Sequence, residues 1–223
     1  MSFLSYLGGL GAEMANLNIV CAKAVEELCS IDSIPGSTAA SALVGAVGAS
    51  LGYRAAKAGI RKAENADRKA EYLHIVHETE KLEKSLIDKL DGDVMTYELF
   101  LRARNIPDND PERDGYIETL LEMACTVPMS VMRDCCKVIE QHEELLKSKS
   151  IVLKRNVGAG VLYLKAALMS ASINVFSHTK MMADREYAAQ LEAEANDLLS
   201  KYCEIADNIY ASVISGLELR IQI

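Results

Sequence analysis

Hydrophobic and polar positions follow one another along most of the chain with the period of an α-helix. Between Glu64 and Arg104, apolar side chains recur every three or four residues, separated by charged ones. The same pattern predicts helices over Glu112–Lys147 and Asp184–Ser215. Asp91-Gly92-Asp93 predicts a bend or a break in the first of these helices, and Asn105–Pro111 predicts the loop that follows it. The expected fold class is all-α.

Two further segments are nearly uncharged and rich in Ala, Gly and Ser. The turn Pro35–Thr38 introduces the first, with Ser37 or Thr38 expected to cap a helix that runs to about Tyr53. The second covers Val157–His178. Glycine within a helix costs about 1 kcal/mol against alanine, and close packing is the natural compensation. We therefore predict a bundle of long helices with these two small-residue helices at its centre.

The length of the first small-residue segment argues against a membrane-spanning helix. From Thr38 to Tyr53 it spans about 24 Å at 1.5 Å per residue. A bilayer core is roughly 30 Å thick, so a buried helix of a soluble protein is favoured. No Lys or Arg precedes Lys23, which argues against a secretory signal and favours the cytoplasm.

The length, net charge and cysteine content of the chain limit its domain organisation and its partners. The 223 residues suffice for one domain over positions 1–223, with residues 1–21 as an apolar N-terminal helical extension. The net charge is −8 and no long basic run occurs, so a nucleic-acid partner is not expected. The six cysteines form no C-x-x-C pair and are interpreted as reduced, buried thiols.

The segment Glu71-x-x-His74 has the spacing of metal ligands in helical bundles. A di-metal bundle requires two such copies and further carboxylates, and the chain has one. A solvated helix face is the favoured interpretation.

The Pro35–Thr38 turn is a better candidate for a ligand site, because the first turn of a helix presents unpaired N–H groups to an anion. Most turns of this kind, however, only cap the helix and bind no ligand.

Five short motifs follow one another along the chain. They are Pro35-Gly36 with Ala42-Leu43-x-Gly45-Ala46-x-Gly48-Ala49, Asp91-x-Asp93-x-x-x-Tyr97 with Ile106-Pro107, Ala124-x-x-Val127-Pro128-Met129, Asn156-x-Gly158-x-Gly160 with Ala171-x-x-Asn174-Val175, and Asp184-Arg185-x-Tyr187. In order and spacing they resemble the cyclodeaminase/cyclohydrolase family of folate enzymes. The resemblance covers about Cys29 to Tyr210.

The resemblance implies a helical homodimer whose substrate is a reduced folate. The family closes or opens the one-carbon bridge between two nitrogens of tetrahydrofolate, as a cyclodeaminase or as a methenyltetrahydrofolate cyclohydrolase. Such chemistry needs proton transfer and stabilisation of a tetrahedral carbon, and neither a metal nor a redox cofactor is expected.

Candidate site residues follow from the matching positions. Pro35, Gly36, Ser37 and Thr38 are expected to anchor the substrate. Asp91 and Asp93 are candidate proton-transfer carboxylates, although helix capping explains them equally well. Asn156, in a connector expected over Lys149–Asn156, and Asn174 are candidate polar groups lining the site, and Arg54 and Lys57 can attract the glutamate carboxylates of folate.

Several of these positions depart from the family pattern. Ser37 and Thr38 stand where the family has glycine, Lys57 stands where it has Asn, and Arg155-Asn156 stands where it has Ser-Asp. Replacing Asp by Asn removes a base and adds two N–H donors. The alternative function is therefore a diverged, non-catalytic helical binding or scaffold dimer of the same fold.

Overall fold

The computed structural model describes residues 36–103, 105–147 and 151–218, together with Ile19, Ala22, Lys23, Val25, Glu26 and Leu28. The three long ranges contain six α-helices and one short 3₁₀ helix, which are α1 (Ser37–Ile60), α2 (Ala66–Asp88), the 3₁₀ helix (Lys89–Asp91), α3 (Gly92–Ala103), α4 (Arg113–Leu146), α5 (Ile151–Thr179) and α6 (Arg185–Glu218). No strand occurs in the described part of the chain, and the predicted all-α class is confirmed. Apart from Ile19, the predicted extension over residues 1–21 lies outside the described residues.

The two small-residue helices are packed at the centre of the bundle. Helix α1 contacts α2, α4 and α5, and α5 contacts α1, α4 and α6. The two helices run antiparallel, and a Cβ added at Gly48 would lie 2.9 Å from the carbonyl oxygen of Gly160. Gly45 is similarly enclosed, between Cys135 of α4, Leu86 of α2 and Ala167 of α5. Close backbone contact thus offsets the helix-propensity cost of these glycines.

Helix α4 closes one side of the pair formed by α1 and α5. Its apolar side chains Met129, Met132 and Ile139 are buried in the main core. Pro128 lies within this helix, which continues from Arg113 to Leu146. No break separates the two halves, so Pro128 does not end the helix.

Two predicted boundaries are wrong. Helix α1 begins after Gly36, which takes the N-cap position, so neither Ser37 nor Thr38 caps it. It also continues past Tyr53 to Ile60, since Ala55 and Ala56 remain fully buried.

Helix α5 begins at Ile151, and the predicted connector over Lys149–Asn156 is therefore wrong. Leu153 and Val157 are both fully buried and lie one turn apart, so the apolar side of the helix starts before the polar residues between them. Asn156 is consequently a helix residue.

The predicted break at Asp91-Gly92-Asp93 is confirmed. Helix α2 ends at Asp88, the 3₁₀ helix covers Lys89–Asp91, and α3 starts at Gly92. The turn that follows α3 includes Pro107, as expected for the loop over Asn105–Pro111.

One described helix is long and apolar enough, by length and composition alone, to cross a membrane. It covers Leu153–Thr179 within α5, and 44% of its most apolar window is buried inside the protein. A core helix of a soluble protein has the same properties, so this is weak evidence. The polar side chain of Lys165 on this helix pairs with Asp207 of α6 at 2.6 Å.

Candidate functional site

The N-terminal corner of α1 brings two predicted site residues together. Ser37 Oγ donates a hydrogen bond to Asn174 Oδ1 of α5 at 2.7 Å. One turn further on, Ser41 Oγ lies 2.8 Å from Ser170 Oγ, which fixes the register of the two helices. The amide Nδ2 of Asn174 is buried and has no hydrogen-bond partner among the described residues. A donor without an acceptor is thus held beside the start of α1.

The backbone at this corner is suited to an anion or a developing negative charge. Gly36 is exposed and has no side chain with which to cap, and the first turn of α1 contains no acidic residue. The first N–H groups of a helix have no partner within the helix and carry its positive dipole end. Thr38, in contrast, is buried, and Pro35 lies outside the described residues.

The two backbone segments that contain Asp91 and Asp93 lie near the same half of α1. Asp91 is exposed at the end of the 3₁₀ helix, which packs against α1. Asp93 lies in the first turn of α3, and its side chain is outside the described part of the structure. The antiparallel packing of α2 on α1, anchored by Ser50 and Glu83 at 3.0 Å, brings the end of α2 back towards the start of α1.

The remaining predicted residues lie at the opposite end of the α1–α5 pair. Arg54 and Lys57 are exposed in the last turns of α1, and the Lys57 ammonium lies 4.7 Å from the centroid of the Tyr53 ring. Asn156 is half-buried near the start of α5. It stands about five helical turns, or roughly 27 Å, from Asn174 on the same helix. Within one chain, the predicted site residues therefore form two separate groups.

An open cavity of about 650 Å³ lies elsewhere, between α2 and α4. Its lining comprises His74, Ile75, Glu78, Lys81, Leu82, Ser85, Asp134, Lys137, Glu140, Gln141 and Glu144, and contains none of the predicted site residues. Most of its polar groups are paired with one another or with neighbours. Asp134 accepts from Lys89 Nζ and from Ser85 Oγ, both at 2.7 Å. No sequence pattern indicated this cluster, because Asp134 is separated from Ser85 and from Lys89 by more than forty positions along the chain.

His142 is a further buried titratable group that no sequence pattern indicated. The side chain is fully buried at the junction of α1, α4 and α5, with Nδ1 2.9 Å from the Val138 carbonyl oxygen. A Cβ at Gly52 or at Gly160 would lie 2.4 Å from an atom of its ring. Burial lowers the pKa of His142 to about 4, so the imidazole is neutral at physiological pH.

A family model described as formiminotransferase-cyclodeaminase matches residues 20–197 of the sequence. This range is most of the chain and includes both groups of candidate residues. The chain belongs to the formiminotransferase-cyclodeaminase family. The predicted resemblance is confirmed.

Two curated relatives and one solved structure extend the family assignment. A methenyltetrahydrofolate cyclohydrolase of Methylorubrum extorquens is 28% identical over 195 residues, covering 86% of this chain and 94% of that protein. A formimidoyltransferase-cyclodeaminase of Sus scrofa is 23% identical over 214 residues, and the chain spans 39% of its length. The crystal structure of formiminotetrahydrofolate cyclodeaminase from Thermotoga maritima has a TM-score of 0.71 at 21% identity, covering 87% of this chain and 93% of that one. The structural likeness establishes the family fold.

The thiols of this family member do not form a reactive centre in the described structure. Cys125, Cys135 and Cys136 are buried and Cys203 is half-buried, all as free thiols. Burial raises the pKa of Cys125 to about 11 and that of Cys136 to about 12, which keeps both protonated and poorly nucleophilic.

Glu71 and His74 likewise occupy a solvated helix face, as favoured from the sequence. Both are exposed, and Glu71 forms an ion pair with Arg68.

Proposed function

We propose that this protein acts on the one-carbon unit carried by tetrahydrofolate, as a methenyltetrahydrofolate cyclohydrolase or as a formiminotetrahydrofolate cyclodeaminase. The observation that carries the proposal is the similarity to a methenyltetrahydrofolate cyclohydrolase over nearly the whole length of that relative. Family membership and the fold support it. The non-catalytic scaffold is not favoured, because the relatives are named as enzymes acting on folate derivatives.

The corner of Ser37 and Asn174 supplies groups that suit this chemistry. Addition of water to a methenyl bridge, or of the second of the two folate nitrogens to a formimino group, produces a tetrahedral carbon. Proton transfer then lets a nitrogen leave. In the cyclohydrolase reaction this carbon carries an oxygen. N–H groups at the start of α1 and Asn174 Nδ2, which has no hydrogen-bond partner among the described residues, can stabilise the negative charge that develops on that oxygen.

Proton transfer is assigned to the carboxylates on the neighbouring segment. Asp91 is exposed beside α1, and Asp93 follows it in α3. A carboxylate positioned at a reacting nitrogen typically contributes 10²- to 10⁴-fold to the rate. We propose that the reaction requires neither a metal nor a redox cofactor, since addition and elimination at this carbon need only proton transfer.

A spectrophotometric assay tests the proposal. Wild-type protein should accelerate the loss of methenyltetrahydrofolate absorbance well above the rate in buffer, or should release ammonia from formiminotetrahydrofolate. The first result assigns a cyclohydrolase, and the second assigns a cyclodeaminase. Binding of either folate without turnover would instead support the scaffold.

A matched pair of variants connects the assay to the site. Asn174→Ala should lower turnover by roughly 10²-fold or more, as loss of one oxyanion donor does. Ser177→Ala removes an exposed hydroxyl one turn along the same helix and should leave turnover unchanged. Equal rates for both variants would exclude Asn174 from the site.

We also propose that the protein is a cytoplasmic homodimer. The support is an exposed apolar face, called here the open face, formed by one side of α1 and one side of α5. Its members are Leu43, Val47 and Leu51 of α1 and Ala159, Leu162, Tyr163, Ala166, Met169 and Ile173 of α5. Val47, Met169 and Ile173 are 45%, 48% and 64% exposed, more than a soluble monomer is expected to leave in contact with water as one continuous patch.

A further inference from the structure

A cluster of three side chains, Lys89, Ser85 and Asp134, joins the end of α2 to α4. Lys89 Nζ donates to the Ser85 carbonyl oxygen at 3.0 Å, to Ser85 Oγ at 2.5 Å and to Asp134 Oδ2 at 2.7 Å. Ser85 Oγ in turn donates to the same carboxylate oxygen at 2.7 Å. An ammonium group has three N–H donors, and each of them is used here. The Lys89 side chain is therefore held in one position.

Lys89 stands at the junction between α2 and the segment that carries the proposed proton-transfer carboxylates. It is the C-cap of α2 and the first residue of the 3₁₀ helix, which ends at Asp91, and α3 follows directly at Gly92. Two residues of extended chain span no more than about 7 Å. Fixing the backbone at Lys89 therefore limits where Asp91 and the start of α3 can lie.

The register of α2 on α1 shows where this junction lies. Glu83 accepts from Ser50 at 3.0 Å, and a Cβ added at Gly45 would lie 3.4 Å from Leu86 Cδ2. Each step forward along α2 is thus a step back along α1, towards the corner at which the substrate is proposed to bind. The 3₁₀ helix begins three residues after Leu86 and contacts α1. The cluster therefore fixes the chain just before it reaches the proposed site.

The burial of the ion pair distinguishes it from its neighbour on α4. The side chains of Lys89 and Asp134 are 14% and 9% exposed, whereas those of Arg133 and Glu194, which pair at 2.6 Å, are 47% and 41% exposed. Transfer of two charges out of water costs about as much as their attraction returns, so a buried pair is weak evidence for stability. It does restrict geometry, because separating the two groups would leave a buried charge without a partner.

We propose that Lys89 and Asp134 are positioning residues that hold Asp91 and the first turn of α3 beside the start of α1. The proposal rests on the proposed function, since it requires a carboxylate of this segment to transfer the proton. The pair acts through the backbone of the 3₁₀ helix and not by contact with the substrate. Displacing a reacting group by about 1 Å can cost roughly 10²-fold in rate. Loss of the pair should therefore lower kcat and leave substrate binding largely intact.

A double variant, Lys89→Met with Asp134→Leu, separates positioning from stability. Apolar side chains of similar size replace the buried pair, so the urea midpoint should equal or exceed that of the wild type. We expect kcat to fall roughly tenfold or more, with KM changed by no more than about twofold. A merely structural role would not lower kcat in a protein of unchanged stability. Wild-type kcat in this variant, or a raised KM with unchanged kcat, would overturn the proposal.

A second variant and a matched control accompany this measurement. Ser85→Ala removes the bridging hydroxyl and keeps the ion pair, and it should lower kcat severalfold at unchanged KM. If the double variant does not fold, wild-type kcat in Ser85→Ala overturns the proposal. Arg133→Gln breaks the exposed pair one position from Asp134 and should keep the wild-type kcat. An equal loss of kcat in Arg133→Gln would show that any disturbance of α4 lowers turnover, and it too would contradict a specific role for the buried pair.

Hydrogen exchange tests the positioning without a folate. In the double variant, amide hydrogens of residues 89–96 should exchange roughly tenfold faster than in the wild type, whereas those around Ile75 in α2 should be unchanged. Unchanged exchange over residues 89–96 would show that the pair does not hold this segment. Faster exchange as expected, in a protein whose wild type is inactive on both folates, would refute the proposed function alone.

Discussion

His142 makes the stability of the protein depend on pH through one side chain. Its pKa is lowered from 6.5 to about 4 in the folded protein by burial, so the unfolded chain binds a proton first as the pH falls. Its contribution to stability is therefore constant above about pH 6.5, is lost between pH 6.5 and 4, and changes no further below pH 4. The loss amounts to about 3 kcal/mol at 1.36 kcal/mol per unit of pKa.

Urea denaturation of wild type and of His142→Gln at several pH values measures this effect. The difference in unfolding free energy between the two proteins should fall by about 3 kcal/mol from pH 7 to pH 4. Carboxylates contribute equally to both proteins, so the comparison isolates the imidazole. A difference independent of pH would show that His142 is protonated in the folded state without cost.

Asp93 has two competing roles that one substitution separates. If Asp93 transfers a proton, Asp93→Asn should lower turnover by roughly 10²- to 10⁴-fold with little change in stability. If it only stabilises the first turn of α3, the substitution should cost at most about 1 kcal/mol and leave turnover intact. Turnover and thermal unfolding measured on the same sample distinguish the two roles.

Among the helices, contact between α1 and α5 depends on glycine at defined positions. A Cβ at Gly48 would lie 2.7 Å from Leu164 Cγ and 2.9 Å from the Gly160 carbonyl oxygen, and the latter cannot rotate away. Gly48→Ala should therefore destabilise the protein by about 1–3 kcal/mol through overpacking, despite the better helix propensity of alanine.

Gly36→Ala is the control for this prediction. Its backbone is extended, at φ −94° and ψ −161°, and no atom lies within 4 Å of the added Cβ. Stability should fall by at most about 1 kcal/mol, because alanine is a poorer N-cap residue than glycine. Denaturant midpoints of the two variants give the comparison, and equal midpoints would show that α1 and α5 are not in close contact.

Much of this helical architecture could be predicted because its determinants are local. The periodicity of apolar positions, the break at Gly92 and the small-residue composition of α1 all lie within short segments of sequence. The start of α5 could not be predicted, because the burial of Leu153 and Val157 depends on their contacts with other helices. The N-cap of α1 was also misplaced, since the hydroxyl of Ser37 bonds to Asn174 instead of to its own helix.

For the molecule as a whole, the open face predicts the oligomeric state. Ile173→Glu places a charge at the most exposed large apolar side chain of this face and should convert the dimer to a 24.4 kDa monomer. Leu73→Glu introduces the same charge at a 50% exposed position on α2, outside the face, and should leave the dimer intact. Light scattering at micromolar concentration measures both, and dissociation by the Leu73 substitution alone would place the interface elsewhere.

The arrangement of the candidate site residues within the whole molecule was only partly predictable from the sequence. The family motifs indicated Ser37, Asn174 and Asn156, and its positive charge indicated Arg54, but neither a motif nor a charge gives a distance between residues. Their division between two ends of one helix pair follows from the antiparallel packing of α1 on α5. The paired charges of Lys89 and Asp134 gave no sequence signal at all, because neither lies in a recognisable motif.

The direct backbone contact between Gly48 and Gly160 has a consequence for how the protein opens. With no side chain between them, a small separation of α1 from α5 exposes the peptide groups of both helices to water at once. Amide hydrogens around these two glycines should therefore exchange with solvent deuterium together, and only when the whole bundle opens. Hydrogen-exchange mass spectrometry should find the two segments equally and most strongly protected, and faster exchange in one of them would show that the helices open independently.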